Sequence, residues 1–186
     1  QELIDLGVSP IKLWVIYPGM DNITPRKRNI GVVASEQPNA RKRSHLLLDL
    51  AWQMDLQSFH FIIVGTGWED VVQKLQAKDV SVELHTSLGP ERLNTLYNSL
   101  DLLLATGYLE GGPLPVLEAL AVGCPILSPR YGWAKDLLSP ASFYESTEEL
   151  CFKLKKTAGH TISSVNLAQL FTWPYYVSQH IDLFSE

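Results

Sequence analysis

Two acids, Glu110 and Glu118, are separated by seven residues that begin Gly111-Gly112-Pro113-Leu114. The glycines remove side-chain bulk where a ligand could approach backbone N–H groups. A helix opening near Pro113 would aim its positive end at the same spot and favour an anion such as a diphosphate. A bare carboxylate at Glu110 would repel that anion. The conflict disappears if Glu110 accepts hydrogen bonds from neutral hydroxyls beside the phosphates, as a sugar presents them. Glu118 lies two turns further along, among Leu117, Leu120 and Ala121, and a carboxylate partly buried there needs donors. Ribose hydroxyls would supply them, and so would a Lys or Arg of a neighbouring helix. Spacing alone leaves both open.

The elements that must position these acids alternate along the chain. Strands are expected at Asn29 to Ser35, Phe59 to Val64, Val80 to Leu84, Asp101 to Ala105 and Pro125 to Leu127, with a short last one at Ser142 to Tyr144. Between them, helical spacing of apolar residues predicts helices over Arg43 to Met54, Asp70 to Leu75, Pro90 to Leu100 and Pro113 to Ala121. A short turn follows from Gly132 to Leu138. Ser146 and Glu149 have capping-box spacing for a helix running to Lys156. This alternation predicts an α/β fold, a Rossmann-like doubly wound parallel sheet. Ligands of such sheets bind beyond the carboxyl ends of the strands. Three turns fall there: Ser35 to Lys42, Gly65-Thr66-Gly67 and Leu109 to Leu114.

Bulk properties set limits. The chain has 186 residues, of which 46% are apolar, enough for one domain with a sizeable core. A net charge of −5 argues against a nucleic-acid partner. Arg26-Lys27-Arg28 and Arg41-Lys42-Arg43 read as two solvated clusters, with one or two members free to face an anionic ligand. Cys124 and Cys151 are too few and too poorly spaced for a zinc site or a disulfide framework, and fit small core residues in a reducing, cytoplasmic setting. The five histidines form no pair with ligand spacing on a helix face, so no metal is expected. His85 falls at a strand's carboxyl end, within reach of a base or ribose. Trp173, Tyr175, Tyr176 and Phe184 read as the apolar face of a terminal helix. No apolar run is long enough to span a membrane. The chain opens at Gln1, which suggests an excised piece of something longer.

The run EGGPLPVLEALAVGCPI resembles the two-glutamate signature of GT-B glycosyltransferases, particularly the retaining family 4 (glycosyl transferases group 1), whose typical pattern is EGFGLPLLEAMACGKPV. The likeness continues in order along the chain. Tyr17 to Asp21 is similar to the "PNGVD" entry into the donor domain, and Ile62 to Gly67 to the "IVGDG" turn. Leu93 to Asp101 is similar to the "LxxLYxxAD" helix, Gly132 to Leu138 to the "GGxxEL" turn, and Phe171-Thr172-Trp173 to the "FSW" that opens the terminal helix.

The resemblance implies the carboxyl-terminal half of a GT-B fold, with residues 1–25 leading in from an absent amino-terminal acceptor domain. Residues 26–170 would bind the donor, and 171–186 would form a helix crossing back. Glu110 would hold hydroxyls of the donor sugar and Glu118 the ribose. Amides of Gly111, Gly112 and Leu114 would reach the diphosphate or sugar. Gly65 would lie at the donor, and Thr86, Ser87 and Leu88 would frame the base. Lys42 matches a lysine that, with an arginine, clamps the diphosphate; Glu110 and Lys42 are the expected catalytic pair. The partners implied are a nucleoside-diphosphate sugar and an acceptor bound by the absent half, with no cofactor and no metal. Whether the parent protein sits at a membrane is left open.

The sequence departs from the pattern at three points. Ser35 (or Ala34) stands where the family carries arginine, with Arg41 or Arg43 as substitutes. Pro113 stands for a glycine and has no N–H to offer, and Trp133 for another glycine. These departures keep two alternatives in view: a module that binds nucleotide-sugar without turnover, and a GT-B-like sugar-nucleotide epimerase. As an isolated half the chain is expected to bind donor without transferring sugar.

Overall fold

In a computed structural model, residues 26–36, 42–108, 111–132 and 134–156 are described, together with Val177, Ser178 and Ile181. Five parallel strands form one sheet: β1 (Arg28–Val33), β2 (Phe59–Val64), β3 (Ser81–His85), β4 (Leu102–Leu104) and β5 (Ile126–Leu127), in the order β3-β2-β1-β4-β5. The central strand β1 pairs with β2 from Arg28↔Phe59 to Val33↔Val64, and with β4 through Ile30↔Leu102 and Gly31↔Leu103.

The alternation of the strands divides the core in two. Ile30, Val32, Phe61, Ile63, Leu102 and Leu104 face α1 (His45–Gln53) and α2 (Glu69–Gln76), joined by a later helix, Thr147–Lys156. Ile62, Val64, Leu103 and Ile126 face the opposite layer, α3 (Pro90–Ser99) and α4 (Leu114–Ala121), with a short α5 (Ala134–Leu137). The helix Thr147–Lys156 is thus α6. Full burial of each Leu or Ile contributes roughly 1.5–3 kcal/mol. The doubly wound α/β class expected from the alternation is what the structure has.

Several boundaries differ from those that periodicity predicts. Arg43 and Ser44 precede α1, and Arg43 adopts φ +52°, outside helical geometry. Pro113 caps α4 instead of opening it. The strand expected at Ser142 to Tyr144 is a single bridge, Ser128↔Phe143, after a 3-10 turn over Pro140–Ser142. Ser146 Oγ accepts from the Glu149 amide at 3.2 Å, but Glu149 Oε2 reaches past Ser146 to the Glu145 amide at 2.9 Å, so the capping box closes one residue early. The lead-in 1–25 lies outside the described residues, as do Phe171-Thr172-Trp173 and most of the terminal helix. Val177, Ser178 and Ile181 are helical.

Arg26 and Arg28, two of the six clustered basic residues, have structural partners. Arg26 grips Asp101 through both guanidinium nitrogens at 2.6 and 2.7 Å, and Asp101 also accepts from the Asn29 amide at 2.8 Å. Arg28 stacks on Phe59 and donates to the Leu154 carbonyl. Among the described residues no helix is long and apolar enough to cross a membrane.

The Arg26 guanidinium holds the Asp101 carboxyl below its ordinary value. A carboxylate lowered in this way contributes stability that is present above the ordinary Asp range and lost as pH falls through its folded pKa. Asp101→Asn is therefore expected to lower Tm by about 2–4 °C at pH 7. The gap to wild type should shrink below about pH 4. Thermal melts across pH 2–8 check this, and a gap that persists at pH 2 contradicts it.

Candidate functional site

The strand order reverses at β1. The chain leaves β1 for α1 on one face of the sheet and leaves β4 for α4 on the other. At such a reversal the carboxyl ends of two adjacent strands stay uncovered, and a crevice opens between the departing loops. A cleft opens there. Its walls come from the end of β1 (Val33, Ala34), from the end of β4 and the loop after it (Leu103 to Gly107), and from Pro113, Pro115 and Val116 at the start of α4. Lys42 and Tyr131 complete it.

The first wall is strapped to its neighbour. The Ala34 amide donates to the Val64 carbonyl, and the Ala34 carbonyl accepts from the indole of fully buried Trp68 at 2.6 Å. Ser35 Oγ accepts from the Thr66 amide at 3.2 Å. The Glu36 amide donates to the Thr66 carbonyl, while Glu36 Oε2 accepts from the Ser44 amide at 2.8 Å and so ties the loop to the entry of α1 beside Lys42. Gly65 has φ +146°, and a Cβ there would lie 2.0 Å from the Ala34 carbonyl oxygen. Its own amide donates to His85. Close passage of two loops therefore accounts for this glycine, whatever else it touches.

The second wall is equally fixed. The Ala105 amide donates to the Leu127 carbonyl at 2.9 Å, and its carbonyl accepts from the Tyr144 hydroxyl at 2.7 Å. Burial raises the Tyr144 phenol well above its ordinary value, with the Arg43 charge opposing, so the hydroxyl keeps its proton and remains a donor. Thr106, next in the chain, is 2% exposed, and its hydroxyl is buried without a hydrogen-bond partner.

Among the residues expected at a donor site, Lys42 lines the cleft. Gly111, Gly112 and Leu114 are exposed at its rim, where the chain enters α4. Ser35 and Arg43 are not lining residues but follow Ala34 and Lys42, which are. Thr86, Ser87 and Leu88 follow β3, two strands away on the same edge of the sheet. Glu110, Arg41 and Trp133 lie outside the described residues. Glu118 is not among the lining residues: its Oε2 accepts from the Tyr97 hydroxyl of α3 at 2.6 Å. That partner is neither a ribose nor a Lys or Arg, but a neutral phenol. Burial, and then the bond itself, push the Tyr97 phenol far up, which fixes it as donor and Glu118 as acceptor. Only one carboxylate oxygen is engaged by this bond.

His85 pairs with Glu83 on its own strand at 2.8 Å. The Cys124 thiol is pushed up to about 12, mainly by burial, and is an inert core group. Among the described residues no group of three or more His, Cys, Asp or Glu is placed to hold a metal ion. Sequence reasoning missed Glu36, Trp68, Tyr97 and Thr106. Thr106 was within reach of it, since a polar residue directly after the apolar run Leu102 to Ala105 falls at the carboxyl end of a sheet strand.

Comparison with known proteins agrees with this architecture. Residues 22–150 match the family model for glycosyl transferases group 1. The chain belongs to that family, and its parallel sheet is that of GT-B glycosyltransferases. Over 152 residues it is 30% identical to a GDP-mannose-dependent alpha-mannosyltransferase of Corynebacterium glutamicum, covering 75% of this chain and 36% of that protein. The chain thus spans about a third of the length of the curated relatives it matches. A mutant of S. aureus TarM, solved with UDP, superposes with a TM-score of 0.69 at 16% identity, over 93% of this chain and 38% of that one. The C-terminal domain of a group 1 glycosyl transferase (LpcC) from Francisella tularensis superposes at 0.61 and 16% identity, over 84% of this chain and 86% of that one.

The Tyr97–Glu118 bond joins α3 to α4 behind the cleft. Tyr97→Phe removes the donor and leaves the carboxylate half-buried without it. A hydrogen bond to a charged group contributes about 1.5–3 kcal/mol, and we expect a loss of stability in that range. Urea unfolding followed by circular dichroism measures it; a loss below about 0.5 kcal/mol would mean the bond adds nothing net.

Proposed function

We propose that this chain is the donor-binding half of a retaining glycosyltransferase that moves a sugar from a nucleoside diphosphate to an acceptor held by another domain. The observation that carries the reading is the cleft at the strand-order reversal, walled by Lys42 on one side and the opening of α4 on the other, in a chain of this family. In this reading the bond between the anomeric carbon and the leaving phosphate oxygen breaks as the acceptor hydroxyl oxygen bonds to that carbon, its proton passing to the departing phosphate. Negative charge grows on the departing diphosphate. Lys42 and main-chain amides of Gly111, Gly112 and Leu114 meet that charge, and a fixed positive environment at such a point is often the largest part of catalysis. Protein groups take the place of a bound cation. Glu110 holds hydroxyls of the donor sugar, and the free side of Glu118 takes the ribose. Because one relative is named for GDP-mannose, GDP is the first ligand to try.

Assembly of the complete site needs a second domain, since closure of two halves brings the reactants together and expels water. The isolated chain binds donor and transfers nothing. One feature favours a second reading, a binding module without turnover: Pro113 caps α4 where an amide would otherwise face the phosphates.

Ligand-observed NMR with GDP, UDP, ADP and their sugars is expected to detect binding of at least one diphosphate at millimolar concentration or below. No response from any of them would exclude a donor site. In the full-length protein, Glu110→Gln should lower kcat at least a hundredfold, against less than twofold for Glu148→Gln. Donor binding with no transfer by the full-length protein would establish the module instead.

A further inference from the structure

The donor half needs hydrogen-bond donors aimed at phosphate, and α4 opens with few. Pro113 and Pro115 have no N–H, and the Val116 amide donates back to the Pro113 carbonyl at 3.0 Å. Across residues 113–116 only the Leu114 amide is left to face a ligand. A helix start normally presents several. The opening of α4 itself is therefore short of main-chain donors, and the amides of Gly111 and Gly112 before it are left to make up the difference.

One of the residues that line this cleft carries a hydroxyl with no partner. Thr106 Oγ1 is buried, its residue is 2% exposed, and it is the one buried side-chain polar atom among the described residues without a partner. Buried polar groups in native proteins are almost always paired, so an exception marks a place where something else belongs. The residue is held still. Ala105 before it is fixed through both its amide, to Leu127, and its carbonyl, from Tyr144. Thr106 lines the cleft together with Lys42 and Pro113. A hydroxyl can donate or accept, and the surroundings decide which. Lys42 and the opening of α4 line the same cleft, and both favour an anion there, to which the hydroxyl would donate.

We propose that Thr106 is a phosphate-binding residue: Oγ1 donates a hydrogen bond to a phosphate oxygen of the nucleoside diphosphate, supplying from the end of β4 the donor that Pro113 cannot. This rests on the donor-site reading above. It also gives the proline a consequence other than loss of binding, because the missing amide is replaced from the facing wall. Lys42 contributes charge and Thr106 contributes direction, since a buried hydroxyl on a fixed backbone accepts only a narrow range of phosphate positions.

The test is calorimetric titration of the 186-residue chain with GDP, UDP and ADP, and with the corresponding nucleosides by ligand-observed NMR. For the diphosphate that binds wild type best, Thr106→Val is expected to weaken binding about tenfold or more, and Thr106→Ser to stay within threefold of wild type. Affinity for the nucleoside should be the same in all three. Melting temperature separates a ligand-directed hydroxyl from a structural one. Replacing an unpartnered hydroxyl by a methyl of the same shape should leave Tm unchanged or raise it. Wild-type affinity for the diphosphate in Thr106→Val overturns the proposal. So does a drop in Tm in both Thr106→Val and Thr106→Ala, which would give the hydroxyl a structural role. Failure of wild type to bind any of the three diphosphates would show itself before any variant is made, and would overturn the donor-site reading instead.

Discussion

The constraint on which the rest depends is the handedness of parallel crossovers. A strand, helix and next parallel strand wind right-handed, so a chain that adds strands on one side of β1 and then on the other must place its helices on opposite faces. Here α1 and α2 cover one face, while α3 and α4 cover the other. The gap beside β1 and β4 follows from that winding. No side chain creates it; side chains decide only what it holds.

What keeps the gap in shape is backbone hydrogen bonding between loops. Residues 34–36 after β1 lie along residues 64–68 after β2, with bonds from Ala34, Ser35 and Glu36 in succession and the Trp68 indole closing the set. The approach is so close that a side chain at Gly65 would meet the Ala34 carbonyl. Lys42 enters the cleft from a chain anchored by Glu36 at the Ser44 amide. A lysine on a free loop would lose rotamer and backbone freedom on meeting a ligand, and anchoring lowers that cost.

On the facing side, polar groups are paired across elements distant in sequence. Tyr97 and Glu118 connect α3 to α4, and Tyr144 reaches Ala105 from beyond β5. Both phenols are held in the protonated form, chiefly by burial, so each acts as a fixed donor. The Tyr97 bond sets the orientation of the Glu118 carboxylate.

The amino-acid order alone determined the alternation of strands and helices, hence the doubly wound class, because apolar periodicity is a local property that each segment carries by itself. It also marked Glu110, Glu118 and Lys42 as chemically notable, through spacing and resemblance. It did not foretell that Pro113 caps a helix rather than begins one, its backbone being extended there, nor that Ser142 to Tyr144 contributes a single bridge, which depends on bonds made to Ser128. Nor could it reveal that Thr106 is buried without a partner, that Trp68 bonds to Ala34, or that Tyr97 occupies one oxygen of Glu118. Those facts involve groups 21 to 34 residues apart in the two bonds named, and a cleft assembled from five segments in the third. Proximity of that kind exists only once the sheet has closed, so the tertiary structure decided it.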